Sequence, residues 1–333
     1  MPMKTLALAF LLLNPFLPAS QDREAEDRAR MERSIDGVKE IRVRMSAETP
    51  HEILAGIFAF GKEFRVYEAE GDTFLPAVGY LLEEAEYKGK RIFREKKGDV
   101  FVISAGKERG QVEDLPDEIL MVLALAGVGL DEKIVISKEK EVTVKDLLET
   151  AKKRVNPSRE LSCTIVALAK YLPWGEEWAV PRASKKLTVE RLLRASLQKN
   201  PAAYLDDGAH HLFALSYVLR KAGEEGGLPP ALEKSVKARL SQRRNRLKSQ
   251  QSADGGLGFL GVRSLETSAL HLNWVLISGP WEEVHQPWVD RAARRMSLDV
   301  DKEIKRRKAG YGTLTLAARA MLRYSVLRYS RPG

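Results

Sequence analysis

The chain has 333 residues, of which 44% are hydrophobic and 30% are charged, and its net charge is +9. This composition is typical of a globular protein and excludes collagen-like, low-complexity and polytopic membrane proteins. A single cysteine, Cys163, excludes an intramolecular disulfide and a cysteine-rich metal site.

The N-terminus has the pattern of a secretory signal. Lys4 gives a positive start, the apolar run Thr5 to Leu13 follows, and the small residues Ala19 and Ser20 precede a charged segment. The run is shorter than the roughly 20 residues that a membrane-spanning helix needs. We expect residues 1–20 to be a signal peptide and the protein to be exported, either periplasmic or extracellular. A buried N-terminal helix is the alternative.

Residues 21–115 form a less regular region. The apolar spacing predicts helices over His51 to Phe60 and Phe74 to Glu83. Arg91 to Ile103 alternates polar and apolar residues around Lys97-Gly98 and predicts a β-hairpin. Because two strands alone cannot form a core, we expect this hairpin to be an insertion or a rim element.

Pairs of helices repeat over residues 116–330. The segment Val142 to Leu148 recurs as Leu187 to Leu193, and in each copy a threonine precedes a helix with a leucine pair on its apolar face. More polar helices are predicted at Glu233 to Lys248 and Asp290 to Lys308. More apolar helices are predicted at Glu118 to Ala126, Leu161 to Leu172, Gly208 to Leu219, Leu265 to Leu276 and Thr313 to Tyr324.

This alternation, with a period of about 45–57 residues, is typical of stacked helical hairpins. We predict an all-α fold, an α/α toroid with apolar inner helices and polar outer helices. Very little strand is expected beyond the 91–103 hairpin. Periodicity alone fits an open superhelix equally well.

One loop carries a family resemblance. Residues 251–259, with the sequence QSADGGLGF, resemble the Q-x-x-D-G-G-x-G-aromatic repeat of the terpenoid cyclases and protein prenyltransferases, the squalene-cyclase type of repeat. In that superfamily helical hairpins close into an α/α toroid, and the motif is structural. The resemblance implies that the glycines form a sharp turn and that Gln251 and Asp254 satisfy exposed helix ends.

The catalytic motifs of that superfamily are incomplete in this chain. Cyclases of class II use D-x-D-D, and segment 204–207 lacks the first aspartate. Class I enzymes use D-D-x-x-D/E, and no third carboxylate follows Asp206 and Asp207. Protein prenyltransferases hold zinc with D-x-C and a histidine, where Ala209 and Glu266 stand here.

The densest group of polar residues lies at the start of the helix predicted from Gly208. Asp207, His210 and His211 have the spacing of neighbours on one helix face, and Asp206 adjoins them. We interpret these four as candidate catalytic residues, with a carboxylate orienting a histidine as general base or the group binding a divalent metal. Alternatively, an aspartate caps the helix and the histidines hydrogen-bond to neighbouring helices.

Three further residues are candidates for ligand binding. Tyr204 precedes the same helix, Glu266 starts the next apolar helix, and His271 lies one turn past Thr267. Helix N-termini at the mouth of a toroid favour anionic groups. The alternatives are a first-turn glutamate and a core histidine. The cofactor, if any, and the metal are unknown.

Basic residues concentrate on the two polar helices. Docking to an anionic envelope surface and a solvated outer face both explain them, and no nucleic acid partner is expected of an exported protein. The basic residues are Lys234, Lys237, Arg239, Arg243, Arg244, Arg246, Lys248, Arg291, Arg294, Arg295, Lys305, Arg306, Arg307 and Lys308.

Three functions stay open at this point. The missing motifs favour an exported, non-catalytic toroid that binds a ligand or partner in its cavity. The alternatives are a terpenoid-cyclase-like or prenyltransferase-like enzyme that uses Asp206 and Asp207, and an exported polysaccharide-lyase-like enzyme. Whether the protein is an enzyme is therefore undecided.

Overall fold

A computed structural model describes residues 17–43, 50–68, 73–87, 89–102, 115–181, 186–199, 208–258, 264–279, 281–306 and 309–329. Over these residues the chain forms 13 α-helices and four separate two-stranded sheets. The protein is therefore mostly helical, as predicted.

The helices, numbered in chain order, are α1 Leu17–Lys39, α2 Pro50–Phe60, α3 Ala77–Glu83, α4 Glu118–Ala126, α5 Val144–Arg154, α6 Ser162–Tyr171, α7 Val189–Leu197, α8 Ala209–Glu224, α9 Pro230–Ser249, α10 Leu265–Ser278, α11 Trp281–Val284, α12 Pro287–Arg306 and α13 Tyr311–Tyr329. The helices predicted in the repeat region are present, with ends shifted by a few residues.

The strands pair in chain order into antiparallel hairpins. They are β1 Arg65–Tyr67, β2 Phe74–Pro76, β3 Glu86–Tyr87, β4 Lys90–Arg91, β5 Phe93–Lys96, β6 Asp99–Val102, β7 Lys133–Ser137 and β8 Lys140–Thr143. The predicted hairpin is β5–β6, which pairs Phe93 with Val102 and Lys96 with Asp99. Lys97 and Gly98 both have positive φ angles (55° and 82°), as a two-residue hairpin turn requires.

The strands of the described residues are few and short, but six of them, in three further hairpins, lie outside the predicted one. Phe74–Pro76 is a strand rather than the first turn of a helix, because the residue before a proline favours extended backbone. The β7–β8 hairpin comes from the β-branched run that begins at Ile134, which pairs with Val142. Strand β8 thus ends at Thr143, immediately before α5 starts at Val144.

The two repeated threonines cap their helices as predicted. Thr143 Oγ1 accepts a hydrogen bond from the Asp146 amide (3.3 Å), and the Asp146 carboxylate accepts one from the Thr143 amide (2.8 Å). Thr188 Oγ1 accepts from the Arg191 amide (3.1 Å) without a reciprocal carboxylate. The first copy is a capping box and the second a simple cap.

We expect Thr143→Ala and Thr188→Ala each to lower the free energy of unfolding by about 1 kcal/mol, because each leaves an amide of the first helical turn without its acceptor. Urea denaturation measures the loss. The matched controls Thr143→Ser and Thr188→Ser keep the hydroxyl and should recover most of the stability. Equal losses for alanine and serine would contradict the capping role.

Six helices, called the core helices here, contact one another in sequence. These are α2, α4, α6, α8, α10 and α13; each contacts the next, and α13 contacts α2. The flanking helices pack against them: α3 on α2, α5 on α4 and α6, α7 on α6, α9 on α8, and α1 and α12 on α13. Each core helix is thus followed, before the next one, by at least one flanking helix.

Two neighbouring core helices, α4 and α6, run in the same direction, as the contacts at both of their ends show. Thr164, near the start of α6, donates to Asp117, the residue before α4 (2.6 Å), and Tyr171 at the end of α6 donates to the carbonyl of Val128 just after α4 (3.1 Å). A parallel pair of this kind needs a returning helix between its members, which the flanking helices supply.

The N-terminal elements pack against the C-terminal ones. Ser34 on α1 donates to Asp301 on α12 (2.6 Å), and the rings of Phe64 and Tyr311 stack with centroids 6.1 Å apart. A single cluster of buried hydrophobic residues extends from Met31 to Tyr324. Residues on both sides of position 115 therefore share one core.

Within the described ranges, no helix combines the length and the hydrophobicity needed to cross a membrane. Residues 1–16 lie outside the described residues, and α1 already begins at Leu17, ahead of the expected start of the mature chain. The signal peptide stays a prediction.

Candidate functional site

Aromatic side chains meet in the middle of the core helices. The rings of Phe58 on α2 and Phe213 on α8 lie with centroids 5.9 Å apart. In the cyclic order of contacts, α4 and α6 lie between α2 and α8 on one side, and α10 and α13 lie between them on the other. The two phenylalanines therefore make contact across the interior rather than between neighbours, and we call the place where they meet the axis.

An arginine pair from α13 reaches the same place. The guanidinium carbon of Arg319 lies 3.6 Å from the centroid of the Phe58 ring, in a cation–π contact. Arg323 follows four residues later, one helical turn along the same face. Phe58, Phe213, Arg319 and Arg323 are called the axial cluster below.

The two guanidinium groups lie in a water-poor environment. Arg319 Nε and Arg323 Nη1 are fully buried, and neither atom has a hydrogen-bond acceptor among the described residues. Burial lowers the pKa of Arg319 well below its usual value, with a further contribution from Arg323. Burial, with Arg220 as a second cause, lowers the pKa of Arg323 to about 10. Arg319 as a whole keeps intermediate accessibility.

Two histidines lie on the helix faces that lead to the axis. His210, in the first turn of α8, is three residues before Phe213 and shares its face, and His51 on α2 is seven residues before Phe58. Both have intermediate accessibility. The predicted site residue His210 thus belongs to the N-terminal end of the axis, together with His51.

His211 lies on a different face of α8. It is buried, and its Nδ1 lies 2.9 Å from Ser196 Oγ on the flanking helix α7. Burial, with the cations Arg239, Lys199 and Arg243 as further causes, lowers the pKa of His211 to about 3. The ring is therefore neutral at physiological pH. This placement corresponds to the alternative in which the histidine bonds to a neighbouring helix.

His271 is fully buried and accepts a hydrogen bond at Nδ1 from the indole of Trp274, one turn along α10 (3.0 Å). The two rings meet edge to face, with centroids 6.4 Å apart. This is the core-histidine arrangement. Glu266, in the first turn of α10, is exposed.

The other predicted site residues, Tyr204, Asp206 and Asp207, lie outside the described residues. Among the residues that are described, no three of the types His, Cys, Asp and Glu are arranged to hold a metal ion. His210, His211 and His271 are therefore not brought together into one metal-binding group by the described structure.

The loop that carries the family resemblance connects the end of α9 to α12. Gln251, just after α9, donates to the carbonyls of Gly255 (3.0 Å) and of Trp288 on α12 (2.8 Å), and its side-chain oxygen accepts from Arg291 (3.0 Å). Asp254 accepts from the Gly256 amide (3.3 Å) and pairs with Arg295. Both polar side chains thus bond to groups of the loop itself and to residues of α12.

Many of the basic residues of α9 and α12 have local partners. Lys237 pairs with Glu233 (2.5 Å), Arg294 with Asp27 (2.7 Å), and Arg239 donates to the carbonyl of Leu197 (2.9 Å). These contacts connect α9 to the end of α7 and α12 to α1. Docking to an anionic surface stays a prediction.

Sequence reasoning missed His51, Phe58, Arg319 and Arg323. The usable signal was the arginine pair, four residues apart, inside the otherwise apolar helix predicted at residues 313–324. Two arginines on one face of such a helix are expected to be functional or paired, since burying a charge without a partner is costly.

A scan of protein-family models, a search of curated proteins and a search of solved structures each found no match for this chain.

Proposed function

We propose that the protein is an exported, closed α/α toroid that binds a ligand at its axis and acts as a binding module rather than an enzyme. The contact of Phe58 with Phe213 across the interior carries this proposal. This contact supports a closed ring of core helices in which side chains from opposite helices meet at the axis. Export rests on the signal pattern of residues 1–20.

Closure is supported by contacts between the first and last hairpins. A Cβ atom at Gly312 on α13 would lie 3.6 Å from His51 Nε2 on α2, and Ser34 on α1 bonds to Asp301 on α12. An open superhelix would leave these surfaces apart. The Gln251 loop also supports kinship with the squalene-cyclase type of repeat.

A binding role is supported by the placement of the histidines. His211 and His271 are used in contacts with Ser196 and Trp274, so of the three predicted site histidines only His210 lies on a face that leads to the axis. The axial cluster itself is apolar and cationic. Ligand sites are mostly apolar with a few convergent polar groups, which is the composition of the axial cluster.

Binding of the neutral apolar dye N-phenyl-1-naphthylamine to the folded protein tests this function. We expect saturable fluorescence enhancement with the wild type. Phe213→Trp adds bulk at the axis and should weaken the affinity for the dye at least tenfold. Phe58→Ala removes bulk at the axis and should make the dye bind more tightly. The thermal midpoint of each variant shows that it is folded.

Leu298→Trp is the matched control, because Leu298 is 49% exposed on α12 and gains the same indole away from the axis. It should bind the dye as the wild type does. An absence of saturable binding to the wild type, or equal losses in Leu298→Trp and Phe213→Trp, would refute an axial ligand site.

A further inference from the structure

Among the described residues, the interior of the ring of core helices carries positive charge without a matching carboxylate. Arg319 and Arg323 form no ion pair or side-chain hydrogen bond with any described residue. Their neighbour Arg220 adds positive charge and is itself paired with Glu224 (3.4 Å). Because charges are retained in a protein interior when something compensates them, this pair points to an anion that enters from outside the chain.

We propose that Arg319 and Arg323 bind the oxyanion group of a ligand, a phosphate or a carboxylate, while Phe58 and Phe213 pack against its apolar part. This inference rests on the proposed axial binding function and names its ligand class. The ligand is thus a small anion with an apolar portion.

The geometry of Arg319 suits this role. Its guanidinium carbon lies 3.6 Å from the centroid of the Phe58 ring, a contact that holds the group in place. A guanidinium edge matches the two oxygens of a phosphate or carboxylate. Arg323, one turn along the helix, is placed to contribute a second charge.

The facing helix offers a neutral donor. Tyr217 lies four residues after Phe213 on α8 and so shares its face. Burial, with Glu224 and Glu225 as further causes, raises the pKa of Tyr217 to about 12. Its phenol therefore stays protonated at physiological pH and is able to donate a hydrogen bond to an anion.

Thermal denaturation with added inorganic phosphate, at ionic strength held constant with sodium chloride, tests the proposal. We expect the wild-type midpoint to rise by about 4 °C when phosphate reaches about 100 times its Kd. A parallel series with acetate distinguishes the two anions: a larger response to phosphate assigns a phosphate group, and a larger response to acetate assigns a carboxylate.

Arg319→Gln should abolish the response and, without phosphate, should melt at or above the wild-type temperature, because it removes an uncompensated charge. Lys302→Gln is the matched control: it removes one exposed charge on α12 and should respond as the wild type does. Arg323→Gln is a second test variant and should also lose the response, so the comparison stands even if Arg319→Gln fails to fold.

A wild type that responds to neither anion more than to chloride, or an undiminished response in both arginine variants, would overturn the proposal. Its failure is distinguishable from failure of the binding function. Dye binding without an anion response rejects the oxyanion site alone, and an anion response without dye binding rejects the apolar ligand site alone.

Discussion

Replacing Gly255 by alanine is expected to lower the free energy of unfolding by about 3 kcal/mol. Gly255 has a φ angle of +98°, which disfavours any side chain, and an added Cβ would lie 2.5 Å from the carbonyl oxygen of Arg291 on α12. The backbone of the loop and that of α12 would have to separate. Urea denaturation with a common m-value measures the loss.

Gly226→Ala is the matched control for this substitution. Gly226 has a φ angle of +107°, but an added Cβ would meet nothing within 4 Å. It should therefore cost only the backbone strain, about 1 kcal/mol. A loss at Gly255 no larger than the loss at Gly226 would show that the close approach to α12 is unimportant.

The second large effect is a pH dependence of stability that comes from His211. Its pKa is about 3 in the folded protein and about 6.5 in an unfolded chain. Between these values the unfolded state binds more protons, so stability falls as the pH falls from 6.5 towards 3. At pH 5 the loss from this one group is roughly 2 kcal/mol, the product of about 1.5 pH units and 1.36 kcal/mol per unit.

His211→Gln should remove that loss, because an amide can still bond to Ser196 but does not titrate. The measurement is the difference in unfolding free energy between pH 7.5 and pH 5, which we expect to be about 2 kcal/mol smaller in the variant than in the wild type. Ser196→Ala is the control, since it removes the hydrogen bond and keeps the imidazole. If His211→Gln keeps the wild-type pH dependence, His211 is not the buried neutral group described.

The candidate site was only partly accessible from the sequence. The spacing of His210 and His211 predicts that both belong to one helix face and one catalytic group. On a helix, adjacent residues point about 100° apart, and in the structure His210 shares the face of Phe213 while His211 contacts Ser196. The spacing does not say which of the two histidines is turned towards the axis.

The turn of the Gln251 loop was predicted in more detail because its own hydrogen bonds are local. The spacing of Gln251, Asp254 and Gly255 within one turn determines which backbone groups they can reach. The partners Trp288, Arg291 and Arg295 are about 40 residues away. The motif predicted the turn, whereas the contacts with α12 came only from the tertiary structure.

Local features of this protein were determined by the sequence itself: the positions of the repeated helices, the threonine caps at Thr143 and Thr188, and the Lys97-Gly98 turn. Each depends on residues within one or two turns of one another, where spacing translates directly into geometry. The tertiary structure alone decided the order of contacts among the core helices, the meeting of Phe58 with Phe213, and the buried arginine pair. These depend on which face of each helix is turned towards the interior, and a helical period determines only the relative directions of side chains on one helix.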